Sequence, residues 1–286
     1  MTKPGEQAPQ EEQDRADRPG LVRVERPDGD DERVPPGAVA HVVLDRPEAL
    51  NAISTALARR LGDVLTELAT DDDLRAVVVS SSTPKAFCVG ADLKERNGYS
   101  DEQLRAQRVV YRRMAAAYLA VPVPVVVAVA GYALGGGLEL ALLGDLVVAD
   151  ETAVVGLPEV SVGVIPGLGG TQLLPRRIGT ARAAELIYTA RRLDAAEAGA
   201  LGVVDRVVPA GGAVEAASGI AAAIARNSPV GVRNAKRALR LGTGTDLTAA
   251  LEIEDGAWRA TAFSADRAEG VRAFAEKRAP RWPGRP

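Results

Sequence analysis

Short apolar runs alternate with longer amphipathic stretches along most of this chain. The apolar runs predict β-strands at residues 21–25, 39–44, 75–80, 123–129, 145–149 and 154–157. The stretches between them predict helices from the N-cap Ser54 to about residue 69, from about residue 101 to 119, and onwards from the glycines at 135–137. Strands separated by helices are typical of an α/β fold with mainly parallel pairing. The first two strands are predicted to form a hairpin across the charged loop at 27–37.

The pattern changes near both ends of the chain. Residues 1–20 are polar, contain proline and lack periodicity, so we predict a disordered acidic/polar tail. After about residue 208 the strand signal stops, and stretches rich in alanine, arginine and glutamate predict about four helices. The predicted organisation is a tail at 1–20, an α/β core at 21–208 and a helical region at 209–286.

Composition narrows the classes of protein that fit. The chain has 286 residues, of which 47% are hydrophobic, enough for a sizeable core, and its net charge of −3 gives no indication of a general nucleic-acid binder. One cysteine, Cys88, and one histidine, His41, exclude a disulfide within the chain and a cysteine-built zinc site, and no metal is expected. The most apolar run, 121–130, is too short to cross a bilayer, and the N-terminus lacks a secretory h-region. We therefore expect a soluble, cytoplasmic protein with no membrane contact.

A run of glycines between a predicted strand and a predicted helix carries the first candidate chemistry. The segment 131–144 reads GYALGGGLELALLG, and it lacks both the G-x-G-x-x-G and the P-loop spacing. Free amides at a helix start could stabilise a developing oxyanion, although glycines there also serve close packing. Glu139 lies just inside that helix between two leucines, where a carboxylate is costly unless it is paired, exposed or functional.

A second glutamate lies beside a second glycine-rich stretch. Glu159 follows Pro158 at the end of a predicted buried strand and precedes the sequence VSVGVIPGLGGT at 160–171. A solvated loop glutamate is the competing interpretation. Together, Glu139 and Glu159 suggest general acid and base work, with apolar surroundings that raise one pKa and leave one carboxyl group protonated while the other is ionised.

A third stretch, KAFCVGADLK at 85–94, is predicted to be a loop up to Asp92. Ala91 could offer a second backbone amide, whereas Asp92 also fits the N-cap of an ordinary helix-initiating turn. Cys88 could be a nucleophile only with His41 as its partner, and the better interpretation is a small buried thiol and a structural histidine. No G-x-S-x-G elbow is present, which disfavours a serine hydrolase.

Taken together, these segments resemble the crotonase, or enoyl-CoA hydratase/isomerase, superfamily over about residues 21–286. Five segments carry the resemblance in order: RPEALNA at 46–52, AFCVGADLK at 86–94, GYALGGGLEL at 131–140, PE at 158–159 with IPGLGGTQ at 165–172, and DRAEG at 266–270 with FAEKR at 274–278. The resemblance implies a spiral of stacked ββα turns whose C-terminal helices form a trimerisation region. It also implies self-association as a trimer or as a dimer of trimers.

The resemblance implies a role for each matched residue. The amides of Ala91 and Gly136 would bind the thioester oxygen as an oxyanion hole, and Glu139 and Glu159 would be catalytic. Residues from Ala91 to Lys94 (Ala91, Asp92, Leu93 and Lys94), together with Gly136 and Lys277, would line the CoA site. Glu139 is the better candidate for activating water, and Glu159 for delivering the α-proton.

The activity implied is hydration of a 2-enoyl-CoA thioester to 3-hydroxyacyl-CoA, with no cofactor because coenzyme A is part of the substrate. Two retained glutamates separate a hydratase from much of the superfamily. The alternatives are an enoyl-CoA isomerase and a methylglutaconyl-CoA hydratase, the latter from a local similarity in EKRAPRW at 276–282. A non-catalytic acyl-CoA binder and an RNA-binding helical surface are weaker alternatives. Acyl chain length and branching, the pathway, and trimer versus hexamer are not readable from the sequence.

Overall fold

The structure, a computed structural model, describes residues 20–27 and 31–285. Almost all of the predicted tail, and residues 28–30 of the predicted loop, lie outside the described residues. The larger sheet of the described chain has the strand order β1-β2-β3-β5-β7-β10. Its strands are β1 (Val22–Glu25), β2 (Val39–Leu44), β3 (Ala76–Ser81), β5 (Val125–Val129), β7 (Leu146–Asp150) and β10 (Arg206–Val208). Strand β1 is antiparallel to β2 and all other pairs are parallel, so the predicted hairpin and parallel pairing are confirmed.

A smaller sheet was only partly foreseen. In the described chain its order is β4-β6-β8-β9, with strands β4 (Ala86–Cys88), β6 (Tyr132–Leu134), β8 (Val154–Gly156) and β9 (Arg192–Asp194). The first three pair in parallel, and β9 is antiparallel to β8. The prediction that residues 83–92 form only a loop was wrong, because β4 lies within them. Three-residue strands are too short to show a period-2 pattern, and β4 is buried throughout.

Helices connect the strands of the two sheets. They are α1 (Thr55–Ala69), α2 (Leu93–Arg96), α3 (Asp101–Ala120), α4 (Gly136–Leu143), α5 (Gly170–Ile178), α6 (Thr180–Thr189), α7 (Ala195–Leu201), α8 (Ala213–Ala225), α9 (Pro229–Gly242), α10 (Leu247–Ala262) and α11 (Ala265–Ala275). The predicted cap of α1 is present, since the Ser54 side chain accepts a hydrogen bond from the Leu57 N–H. Short 3₁₀ turns lie at Pro47–Ala49 and Glu159–Val162.

The valine-rich strands have two buried faces, which explains their continuous apolar runs. Val77 and Val79 of β3 face the main core, which α1 and α3 cover. Val78 of the same strand faces α8 on the opposite side of the sheet, with Val126 and Val148 beside it. Each fully buried valine contributes about 1.5–3 kcal/mol relative to an exposed one, so both faces contribute to holding the sheet in register.

Four helices, α8 to α11, follow the last strand in the described chain up to residue 285, as predicted. Helix α8 packs on β3 and β5, so the first helix after residue 208 covers the core. The division of the chain into a core and a helical region stays a prediction. Large apolar side chains on α10 and α11 and at their ends are exposed: Leu247, Leu251, Trp258, Phe263 and Phe274. None of the helices in the described part of the chain has the length and apolar character needed to span a membrane.

Candidate active site

Three parallel strands of the smaller sheet end at one edge, and each is followed by a candidate segment. Strand β4 leads to Gly90–Ala91, β6 to Gly135–Gly136, and β8 to Pro158–Glu159. Because the carboxyl ends of parallel strands meet at the same edge, segments far apart in sequence converge there. The three stretches singled out in the sequence therefore form a single site.

The first candidate oxyanion donor is the amide of Ala91. Ala91 forms a parallel bridge with Ile53, in which the Ile53 N–H donates to the Gly90 carbonyl at 2.7 Å and the Asp92 N–H donates to the Ile53 carbonyl at 3.1 Å. In such a bridge the N–H of the bridged residue itself faces the other side. Within residues 20–27 and 31–285, the Ala91 N–H has no hydrogen-bond acceptor, so it remains available to a ligand.

The second candidate donor is the amide of Gly136, the first residue of α4. As the first helical residue it has no partner within the helix, and it meets no other acceptor in the described chain. A methyl group added at Gly90 would lie 3.2 Å from the Gly136 nitrogen, which places the two loops side by side. A methyl group added at Gly137 would lie only 1.9 Å from the Cys88 carbonyl oxygen. The glycines therefore serve close packing and leave the amide free at the same time.

Asn51 fixes the loop that carries Ala91. Its side-chain amide donates to the Phe87 carbonyl at 2.9 Å and to Ser81 Oγ at 2.8 Å, and its Oδ1 accepts from the Arg46 N–H at 2.8 Å. Asn51 is fully buried with φ at +54°, a conformation in which asparagine is enriched among non-glycine residues. In the sequence analysis Asn51 was only a member of a matched segment, and its hydrogen bonds to this loop were missed.

Glu139 is buried and held by backbone amides. Its side chain is 2% exposed, its Oε1 accepts from the N–H groups of Leu168 at 2.6 Å and Gly170 at 2.7 Å, and its Oε2 accepts from the Gly167 N–H at 3.2 Å. Burial raises the pKa of Glu139 above its ordinary value, while these three hydrogen bonds and the charge of Arg108 oppose the rise. The solvated alternative for Glu139 is therefore wrong. A carboxylate that accepts three N–H groups is oriented for use as a base.

Glu159 differs from Glu139 in its hydrogen bonding. It begins the 3₁₀ turn after β8, and its Oε2 is buried without a hydrogen-bond partner in the described chain. A methyl group added at Gly135 would lie 3.0 Å from its Oε1, so the carboxyl group borders the start of α4. Burial, reinforced by the charge of Glu139, raises the pKa of Glu159 to about 7 despite a hydrogen bond from its own backbone. Glu159 can therefore carry a proton near neutral pH.

The residues predicted to contact CoA differ in their exposure and in their hydrogen bonds. Asp92 caps α2 by accepting from the N–H groups of Lys94 and Glu95 at 3.0 and 3.1 Å, and it pairs with Arg46 at 2.7 Å. Its carboxylate is thus occupied within the protein, as the helix-cap interpretation expects. Leu93 and Lys94 are exposed beside Ala91. Lys277 is exposed beyond α11, and no contact in the described residues joins it to this site.

Cys88 and His41 take structural positions. The Cys88 thiol is buried and donates to the Asn51 carbonyl at 3.0 Å, and burial raises its pKa to about 12, so it is not a nucleophile at neutral pH. Burial also lowers the pKa of His41, which lies in β2 at the other sheet. No group of three or more metal-ligating side chains occurs in the described part of the chain.

Known proteins resemble this chain in sequence and in fold. The sequence profile described as enoyl-CoA hydratase/isomerase matches residues 35–285. YngF of Bacillus subtilis (strain 168), an enoyl-CoA hydratase/isomerase by name, is 45% identical over 240 residues, covering 84% of this chain and 92% of its own. The enoyl-CoA isomerase/hydratase fer4 of Mycosarcoma maydis is 40% identical over 258 residues, 86% of this chain and 93% of its own. The crystal structure of an enoyl-CoA hydratase from Bacillus anthracis superposes with a TM-score of 0.86 at 41% identity, covering 92% of this chain and 99% of that one.

Proposed function

Since this chain belongs to the enoyl-CoA hydratase/isomerase family and is an enzyme of the hydratase type, we propose that Glu139 and Glu159 add water across the double bond of a 2-enoyl-CoA thioester. The product is a 3-hydroxyacyl-CoA. The observation that carries the proposal is the contrast between two glutamates beside two free backbone amides. Glu139 is buried and accepts three hydrogen bonds, whereas the buried Oε2 of the partly exposed Glu159 accepts none in the described chain.

The two glutamates divide the proton transfers. Three N–H donors favour the ionised form of Glu139, which takes a proton from water as the oxygen attacks the β-carbon. Glu159, with a pKa of about 7 and an unpartnered oxygen, delivers its proton to the α-carbon. General acid and base catalysis of this kind contributes about 10²–10⁴-fold to a rate.

The oxyanion hole consists of the amides of Ala91 and Gly136. During attack on the β-carbon, electron density moves through the conjugated system onto the thioester oxygen, giving an enolate-like state. Two fixed N–H donors stabilise that charge without reorganisation, and loss of one such donor costs about 2.7–4 kcal/mol. The first turn of α4 adds the positive end of a helix dipole at Gly136.

Coenzyme A itself lies along the segment from Ala91 to Lys94 in this proposal. Leu93 and Lys94 offer an exposed apolar surface and an exposed ammonium group, and Lys277 offers a second ammonium group for the phosphates. Asp92 contributes through the backbone that its side chain fixes rather than through a free carboxylate. No further cofactor takes part, because two carboxyl groups and two amides supply every proton transfer and the charge stabilisation.

The test is hydration of crotonyl-CoA, followed as loss of the conjugated-thioester absorbance, in the wild type, Glu139→Gln and Glu159→Gln. Each substitution is expected to lower kcat by about 10²–10⁴-fold with the protein still folded. Glu151→Gln is the matched control, since Glu151 is exposed in the turn after β7. Wild-type activity in either site variant, or binding of CoA thioesters by the wild type without turnover, would overturn the proposal. The second result would favour a non-catalytic acyl-CoA binder.

Double-bond isomerisation is the second candidate activity. A relative carries isomerase as well as hydratase in its name, and two carboxyl groups beside an enolate-stabilising pair of amides can also move a proton between carbons. A 3-enoyl-CoA offered to the same variants tests it: faster conversion than hydration of crotonyl-CoA would make isomerisation the main activity. Methylglutaconyl-CoA in the same assay tests the branched substrate suggested by residues 276–282, and a salt-dependent gel shift tests RNA binding.

We also propose that the helical region self-associates into trimers or dimers of trimers in the cytoplasm. Large apolar side chains exposed on α10 and α11, such as Trp258 and Phe274, support this, because large exposed apolar patches on proteins mark interaction sites. Light scattering of the purified protein measures the mass directly. A monomer at micromolar concentration would contradict the oligomer, and cell fractionation tests the compartment.

A further inference from the structure

An arginine outside the matched segments contacts the loop that holds Glu139. Arg108 lies on α3, is exposed, and its Nη1 donates a hydrogen bond to the Gly167 carbonyl. A methyl group added at Gly167 would lie 3.3 Å from that nitrogen, so the guanidinium sits directly against the loop. Gly167 is the first residue of the run whose amides bind the Glu139 carboxylate.

The Gly167 carbonyl belongs to the same peptide group as the Leu168 N–H. That N–H donates to Glu139 Oε1 at 2.6 Å. A cation thus donates to one end of a peptide whose other end donates to a buried carboxylate. Hydrogen bonds in such a chain polarise one another, and a charge at one end strengthens the bond at the other.

We propose that Arg108 is a positioning residue for Glu139, which acts through the Gly167–Leu168 peptide to hold the carboxylate ionised and aimed at the attacking water. The inference rests on the role of Glu139 as the base in the proposed function. Arg108 does not touch Glu139, so its effect passes through the peptide and through the electric field of its charge.

The charges around Glu139 fix the sign of the effect. The charge of Glu139 acts on Glu159, the second carboxyl group of the site, and Arg108 is the cation that lowers the pKa of Glu139 against the larger effect of burial. Removal of the positive charge therefore raises the pKa of Glu139. The acidic limb of the kcat/KM profile, where the base becomes protonated, is then expected to move to higher pH.

The experiment compares the pH dependence of kcat/KM in the wild type, Arg108→Gln, Arg108→Lys and Arg112→Gln. Arg112 lies one turn further along α3, is exposed, and makes no hydrogen bond to the loop in the described chain, so it controls for loss of one charge. We expect the acidic limb of Arg108→Gln to move to higher pH by less than about one unit, because Arg108 is exposed and its charge is screened by solvent. Arg108→Lys, which keeps the charge, should restore much of the shift, and Arg112→Gln should match the wild type.

A readout independent of turnover separates this inference from the proposed function. The ¹³C signal of the Glu139 side-chain carboxyl group, assigned by its loss in Glu139→Gln, should titrate at higher pH in Arg108→Gln than in the wild type. If hydratase activity survives in Glu139→Gln, Glu139 is not the catalytic base and the proposed function fails. The titration would still show whether Arg108 acts on the Glu139 carboxyl group through the Gly167–Leu168 peptide. An unchanged titration in Arg108→Gln would overturn the relay itself.

Two further outcomes test the role of Arg108. A change in KM alone, with the acidic limb in place, would make Arg108 a CoA contact and overturn the positioning role. Arg108→Met, which keeps the aliphatic contacts and loses the charge, provides the same comparison if Arg108→Gln is poorly folded. It is expected to show the same shift, and a wild-type limb in the folded Met variant would refute the inference.

Discussion

Acidic side chains are at least partly buried in two regions of this molecule, around Asp145 and at the candidate active site. The two regions differ in the groups that pair with these side chains. Asp145, just before β7, accepts from Lys236 Nζ at 2.8 Å, from Arg240 at 3.0 Å and from the Val125 N–H at 2.7 Å. Lys236 itself is buried, and this cluster joins α9 to the core. At the carboxyl ends of the smaller sheet, Glu139 is held by backbone amides alone, and one oxygen of Glu159 has no partner in the described residues.

The difference lies in which groups pair with each acid, since all three carboxyl groups are at least partly buried. Two cations pair with Asp145 and hold its side chain in place, so its role is mechanical. Glu159 lacks such partners, and burial leaves its pKa at about 7, where a small change in pH alters its protonation. In this comparison, the acid without a cation partner lies in the candidate active site, and the acid with two cation partners joins α9 to the core.

The largest effect is expected where the compensated cluster is broken. Lys236→Met leaves Asp145 short of one cation at a half-buried position, which should lower the free energy of unfolding by about 3 kcal/mol. Burial lowers the pKa of Lys236 to about 8, so the ammonium is still charged at pH 7. Urea denaturation at pH 7 measures the loss. Arg237→Met, on the exposed side of α9, is the control and should change little, while equal stability of both variants would break the contrast.

The next largest effect is expected in the pH dependence of hydration, which depends on Glu159, the acid without a cation partner. If Glu159 must be protonated to act, the fraction in the active form falls about tenfold per pH unit above its pKa of about 7. The kcat/KM of crotonyl-CoA hydration should therefore decline from pH 7 to pH 9. A profile that is flat across the neutral range, in the wild type and in both glutamate variants, would remove the acid role.

A smaller effect is expected in stability. The folded-state pKa of Glu159 is raised above its unfolded value of about 4.5, so the wild type loses stability as pH rises through the window from about 4.5 to 7. Glu159→Gln has no charge to bury and should be about 1–2 kcal/mol more stable than the wild type at pH 8. At pH 4 the two proteins should unfold alike. A constant difference between pH 4 and pH 8 would show that Glu159 is compensated after all.

The smallest effect is expected from chelation. Among the described residues, no group of three or more histidine, cysteine, aspartate or glutamate side chains is arranged to hold a metal ion. Dialysis against a chelator should leave crotonyl-CoA hydration and the unfolding midpoint unchanged. Activity that is lost and then restored by one divalent ion would show that the carboxylates are compensated by a cation in solution.

Sequence patterns predicted much of this fold because its long elements carry strong periodicity. Helix α1 begins after its capping serine, and the valine runs of β3 and β5 lie within two residues of the predicted bounds. The three-residue strands β4, β6, β9 and β10 were missed because so few residues cannot establish a period. The pairing of β4 with β6, and of β6 with β8, brings the site together. It joins segments that lie far apart in the sequence.

The sequence pointed to the members of the candidate site, whereas their hydrogen-bond partners could not be predicted from it. Glu139 and Glu159 were identifiable from glycine-rich context and family resemblance. That the amides of Leu168 and Gly170 bind one glutamate, and leave the other with an unpartnered oxygen, follows only from the path of the loop before α5. The Arg108 contact carries no local sequence signal, because an arginine on an amphipathic helix resembles every other solvated arginine.

The close approach of Gly137 to the Cys88 carbonyl also limits how directed evolution could reshape this enzyme. Any side chain at residue 137 would push α4 away from β4 and separate the amides of Ala91 and Gly136. A saturation library at this codon should return almost only glycine, whereas Gly219 of α8, with nothing within 4 Å of an added methyl group, should accept alanine freely. Changes of substrate scope would therefore have to arise from the side chains around this backbone contact, because the contact itself has no room to vary.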